Sequence, residues 1–166
     1  SARTPGKHSL DFVYDTMFMR LSNETLCMIS RLLVAMDDSE MAAHALTYAL
    51  EAFPDAEITV LSVVGEPSQL IGEQTAIAMA DDPEAKTHEL AQPVFDRAHE
   101  IAADHDAEIT TRVDSGHAPR SIVEHAADFD TVVIGSHSGT LSERLFVGNV
   151  AEKVFQRSPV PVIVVR

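Results

Sequence analysis

The chain has 166 residues and 45% hydrophobic content, enough apolar material for one core and too little length for two ordinary domains. Twenty-six Asp and Glu against twelve Lys and Arg give a formal charge of −14, the wrong sign for nucleic acid or an anionic membrane surface. No run of about 18 apolar residues marks a membrane-spanning helix, and the single cysteine, Cys27, excludes an internal disulfide; both fit the cytoplasm. The lysines are Lys7, Lys86 and Lys153. Scarce lysine with dispersed carboxylates points to a very salty cytoplasm, where salt screens self-repulsion, more than to an acidic surface made for one partner.

In chain order, residues 1–27 fall outside any regular pattern. Arg3, Lys7 and Arg20 balance Asp11, Asp15 and Glu24, so the rest of the chain carries the whole charge. Asp11 and Asp15 also interrupt the apolar stretch, which makes a poor signal peptide. Met17, Met19 and Met28 are candidate translation starts. Residues 1–27 read as an N-terminal extension to a domain spanning 28–166.

From Met28 onward strands and helices alternate. The run 29–36 (ISRLLVAM) predicts a buried strand, and Asp37-Asp38-Ser39 supplies capping residues for a helix over 40–53. Pro54 ends that helix, and 58–64 (ITVLSVV) predicts a second strand. Residues 65–83 read as a loop with one helical turn. A helix follows over 84–104, with Pro93 predicted to kink it or to mark its true start. A third strand is expected at 107–113, the turn Gly116-His117-Ala118-Pro119 next, and a short helix at 120–128. The fourth strand, 131–134, runs into Gly135; a long loop, a helix over 148–157 and a last strand over 159–165 complete the chain. Buried strands alternating with helices imply a parallel sheet covered on both faces. Ligands in such sheets sit beyond the strand C-termini where strand order reverses. Asp37 after the first strand and Gly135-Ser136-His137-Ser138-Gly139 after the fourth would share one crevice if those strands are neighbours.

These residues carry a family resemblance. Residues 32–40 (LLVAMDDSE) resemble the opening I-L-V-A-x-D-G-S of the universal stress proteins. Residues 135–150 (GSHSGTLSERLFVGNV) resemble that family's signature G-x2-G-x9-G-[S/T], and the ending from Ala151 to Val165 is similar too. The resemblance covers 28–166. It implies an α/β fold with a five-stranded parallel sheet in the order 3-2-1-4-5, helices on both faces, adenine nucleotide alpha hydrolase-like and Rossmann-like. It also implies ATP or a related adenine nucleotide with Mg²⁺. The site residues it implies are Ala35, Asp37 toward base and ribose, Val63 through its backbone, Gly135, Ser136, His137, Ser138 and Gly139 in the loop, and Gly148, Asn149 and Val150 at the phosphates. A homodimer through residues 159–165 is implied as well. Ser138 stands where the signature has glycine, Asn149 where it has Ser or Thr, and Asp38 where glycine usually follows the aspartate.

The chemistry stands beside the resemblance. Gly148-Asn149-Val150 opens a helix, whose free N–H groups and dipole favour an anion. Asp37 could equally be a helix cap, Gly135 and Gly148 turn glycines, and His137 an ordinary loop side chain. The histidines lack H-x3-H or HExxH spacing, so no metal site is expected. No hydrolase elbow, P-loop or Rossmann glycine trio occurs. No general base or arginine finger is evident for a γ-phosphate, Arg144 being the nearby cation, so hydrolysis is expected to be slow or absent. Three readings remain: a nucleotide-holding stress or regulatory module, a nucleotide-free homodimer acting as a protein-interaction module, and a true enzyme such as an adenylyl transferase of a related α/β fold, against which the missing histidine-glycine motifs argue.

Overall fold

The computed structural model describes residues 29–65, 71–136 and 148–166. The expected N-terminal extension at 1–27, and the loop residues His137, Ser138, Gly139 and Arg144, lie outside the described residues. Five parallel strands, β1 (Arg31–Ala35), β2 (Glu57–Val64), β3 (Ile109–Ser115), β4 (Thr131–Gly135) and β5 (Val162–Val165), form one sheet in the order β3-β2-β1-β4-β5. The helices are α1 (Glu40–Ala52), α2 (Ile71–Ala78), α3 (Pro83–Asp104), α4 (Ala118–Ala126) and α5 (Asn149–Arg157).

β1 is central because it is apolar on both faces. Leu32 and Val34 join the cluster that includes Leu46 and Ala49 of α1 and Val94 and Ala98 of α3. Leu33 and Ala35 join Ile122 of α4 and Ala151 and Val154 of α5 on the opposite face. Leu32, Leu33 and Val34 are wholly buried, each side chain stabilising the fold by roughly 1.5–3 kcal/mol. Among the described residues no helix is long and apolar enough to cross a membrane.

Local chemistry explains where elements differ from expectation. Residues 71–78 form a two-turn helix, α2, in place of a single turn, and Ile77 packs with Val64, Ala91 and Phe95. Pro93 does not start α3, which begins at Pro83 behind the N-cap Asp82. Pro93 is exposed, so the carbonyl it leaves without a donor, on Glu89, faces water. β3 begins two residues later than expected because Asp106, at φ 51°, turns the chain out of α3 while the Ala107 N–H still donates to the Ala102 carbonyl. α4 begins early because Gly116, at φ 111°, reverses the chain at once, its N–H donating to the Val64 carbonyl. Pro159 and Pro161 precede β5 and are not part of it; the Pro161 carbonyl accepts from the Val132 N–H (3.0 Å) and Thr131 Oγ1 (2.7 Å).

Candidate functional site

β1 and β4 are paired neighbours whose following helices, α1 and α5, lie on opposite faces of the sheet, which opens a crevice beyond their C-termini. A cavity of about 390 Å³ opens there, of the size of small-molecule sites. Of the residues expected at the site, Ala35, Asp37, Val63, Gly135, Ser136, Gly148, Asn149 and Val150 all line it. His137, Ser138 and Gly139 belong to the undescribed loop.

Each wall has a local cause. After Ala35 the chain leaves the sheet with one last contact, the Met36 N–H to the Leu61 carbonyl at 2.9 Å. Asp37 then accepts the Ser39 N–H on Oδ1 at 3.0 Å, and Ser39 caps α1 by accepting the Ala42 N–H at 3.1 Å. The cap is therefore Ser39, and Asp37, half-buried at the cavity, holds the turn before it with one oxygen. From α3, on the same face of the sheet as α1, Arg97 donates to the Asp38 carbonyl (3.0 Å) and to Glu40 (2.7 Å), fixing that turn.

Val63 offers a peptide edge. Leu61 turns its carbonyl toward β1, and Val64 turns its own toward β3 and Gly116. By the two-residue alternation Val63 faces as Leu61 does, past the point where β1 has left the sheet. Its N–H and C=O therefore face the cavity rather than a strand.

Gly135 has a packing reason that the sequence hid. A Cβ there would lie 2.9 Å from the Met41 carbonyl oxygen and 3.0 Å from its carbon. The first turn of α1 thus rests on the end of β4, a contact only glycine permits. The chain continues through Ser136, whose N–H donates to the Val165 carbonyl and whose carbonyl accepts the Gly148 N–H.

Gly148 is the N-cap of α5, with φ −63° and ψ 153°, and carries no capping side chain. Intrahelical bonding starts with the Glu152 N–H to the Gly148 carbonyl. The N–H groups of Asn149, Val150 and Ala151 consequently have no helical partner, and all these residues line the cavity. That terminus has the charge and donors to hold an anion.

The third wall went unread in the sequence. His117, Ala118, Pro119 and Ile122 complete the cavity. Their placement follows from a clamp at the end of β3. Asp114 accepts Ser121 Oγ (2.5 Å) and faces His125 Nε2 (3.3 Å) on one oxygen, and accepts the Ser115 N–H (2.8 Å) on the other. Burial pushes the Asp114 carboxyl up, but the bonds from Ser121, Ser115 and His125 outweigh it and hold the group below the usual carboxylate value. Serine, histidine and aspartate together suggest a nucleophile, yet Ser121 donates to Asp114 and not to His125, so the imidazole does not activate it. The cluster is a clamp on α4. Lys153, one turn along α5 from Asn149, also lines the cavity. Among the described residues no group of three or more His, Cys, Asp and Glu is placed to hold a metal.

Comparison with known proteins agrees with this architecture. Universal stress protein YxiE of Bacillus subtilis (strain 168) is 28% identical over 148 residues, covering 84% of this chain and 100% of that protein. The solved structure of universal stress protein UspA from Lactobacillus plantarum superposes with a TM-score of 0.64 at 23% identity, covering 83% of this chain and 98% of the other. A universal stress protein solved in complex with cAMP superposes at 0.55 with 22% identity, covering 83% and 97%. The pattern of the universal stress protein family itself matches residues 28–166, and the chain belongs to that family.

Proposed function

We propose that the chain is a stress-response or regulatory module that holds an adenine nucleotide, ATP with Mg²⁺ being the leading candidate, with little or no hydrolysis. The observation that carries this reading is the N-terminus of α5, without a side-chain cap among the described residues, opening into a cavity whose other walls mix apolar side chains with a few polar groups. Ala35, Leu61, Pro119 and Ile122 suit a flat base, and the peptide edge of Val63 suits its hydrogen-bonding rim. Asp37 keeps one carboxylate oxygen without a hydrogen bond among the described residues, available to a sugar hydroxyl. The N–H groups of Asn149, Val150 and Ala151 would hold phosphate. Mg²⁺ would arrive on the phosphates, because Asp37 is the one carboxylate among the described lining residues. It would supply charge neutralisation there. A relative of this fold solved with cAMP supports the same class of ligand. Little hydrolysis is expected because the one carboxylate among the described lining residues, Asp37, is assigned to the sugar, and no arginine lines the cavity among them.

Calorimetric titration with Mg-ATP tests the reading. Wild type should bind in the micromolar range, about 8 kcal/mol, and Gly148→Val should lose most of that heat. Equal heats for both, or none for wild type at millimolar nucleotide, refute it.

The homodimer through residues 159–165 is part of the proposal. The carbonyls of Pro161, just before β5, and of Val165 at its end face β4, so Val162 and Val164 turn their N–H and C=O groups to the open edge. All four β5 residues are only half-buried, and Phe155 on the preceding helix is 65% exposed. Pairing the same edge across a two-fold axis would cover it symmetrically. A monomer at micromolar concentration in sedimentation would exclude this arrangement.

A further inference from the structure

The charged side chains lining the cavity among the described residues, His117 aside, are one carboxylate, Asp37, and one ammonium, Lys153. Lys153 is unusual in this chain. It is one of three lysines against twenty-six carboxylates. Lys86 follows the common pattern and pairs with Glu89 at 2.9 Å. Lys153 is half-buried, and among the described residues no carboxylate pairs with it.

Its place on α5 is also contrary to local preference. The N-terminal part of a helix favours acidic side chains, which offset the dipole. Glu152, in the first turn, is exposed and is held by Gln156 at 3.2 Å. The neighbouring Lys153 instead adds positive charge beside the uncapped N–H groups, on the cavity side. A chain at −14 repels anions as a whole, so an anionic ligand needs a local field of opposite sign. The Lys153 ammonium supplies it where the helix end alone gives only partial charges.

We infer that Lys153 is the residue through which the cavity reads phosphate charge, favouring nucleotide over nucleoside and higher phosphate charge over lower. This rests on the nucleotide reading of the same cavity, and goes beyond it by naming the residue that sets preference within the ligand class.

The test is calorimetry at fixed salt on wild type, Lys153→Met and Lys153→Arg, with adenosine, AMP, Mg-ATP and pyrophosphate as probes. Methionine keeps most of the apolar stem, so packing is retained while charge is removed. Equal melting temperatures check that. Lys153→Met should weaken Mg-ATP about ten-fold or more, AMP less, and adenosine not at all. Lys153→Arg should restore most of the loss. Raising KCl should weaken Mg-ATP binding to wild type more steeply than to Lys153→Met. Unchanged Mg-ATP affinity in Lys153→Met overturns the inference and leaves the nucleotide reading standing. An equal loss for adenosine and ATP also overturns it, since the side chain would then act through packing. Pyrophosphate heat that depends on Lys153, with no adenosine heat, keeps the inference and overturns the adenine reading. No heat from any probe in wild type overturns both.

Discussion

The two ends of the sheet use the same chemistry to opposite effect. At the start of β1 a carboxylate meets peptide donors and satisfies them: Asp130 Oδ2 accepts the Ser30 N–H (2.9 Å), Ser30 Oγ (3.0 Å) and the Arg31 N–H (2.9 Å). The N–H bonds of Ser30 and Arg31, with the Ser30 hydroxyl, hold that carboxyl below its usual value. At the other end the donors of α5 face a cavity where, among the described residues, no side chain caps them and Asp37 takes a single N–H. Partners are supplied where the fold needs closing and withheld where a ligand can enter. Unmet hydrogen-bonding capacity beside a cavity marks function better than the mere presence of polar residues.

The comparison can be broken in several ways, and the largest effect is expected at Gly135. It lies at the open end, yet its reason is packing against Met41. Gly135→Ala should cost roughly 1–3 kcal/mol in urea unfolding, because the contact is with backbone that cannot rotate away. Unchanged stability with lost nucleotide binding would make Gly135 a ligand residue instead.

Next comes Gly148→Asp, which closes the open end as Asp130 closes the other. A capping aspartate should raise the unfolding midpoint slightly and lower Mg-ATP affinity more than ten-fold, by occupying the N–H groups and repelling phosphate. A variant that gains stability and keeps its affinity would show that phosphate does not use this helix end.

Salt should act on both ends together. The −14 charge repels itself over the whole surface, so the melting temperature should rise by several degrees from low to molar KCl. A flat dependence would remove the salt-adapted reading of the composition.

The smallest effect concerns Asp114, which shapes the third wall. Its folded carboxyl titrates below the usual ~3.9, so its contribution is full above that value and fades as pH falls through the lower folded one. Asp114→Asn should therefore be less stable than wild type near neutral pH, with the gap closing in acid. The gap should be modest, since the Asp114 side chain is 38% exposed. A gap that is constant with pH would mean the charge plays no part in the clamp.

What could be read beforehand follows the range of the forces involved. β1 was legible because a continuous apolar run is a property of adjacent residues, and so was Ser39 in its capping cluster. Asp37 and Gly148 were legible because they sit where strands and helices change over. Gly135 lines the cavity, but its close contact with Met41 is not legible in the sequence, since Met41 meets it only after α1 folds onto β4. His117, Pro119 and Ile122 were missed for the same reason: they reach the cavity through α4, which the Asp114 clamp sets. α2 lacked a regular apolar stripe, and one Asp106 turn moved β3 by two positions. Lys153 had a signal in its spacing, four residues after Asn149 and so on the same helical face.

The alternation along β5 can be followed as isotope exchange. Ile163 and Val165 turn toward β4, so their amide protons should exchange slowly whatever the chain associates with. Val162 and Val164 point away from the sheet, and in an isolated chain they should pick up deuterium quickly. A period of two in the exchange rates would identify a free edge. Uniformly slow rates across the four valine and isoleucine amides would identify a paired one, and dilution would turn one pattern into the other.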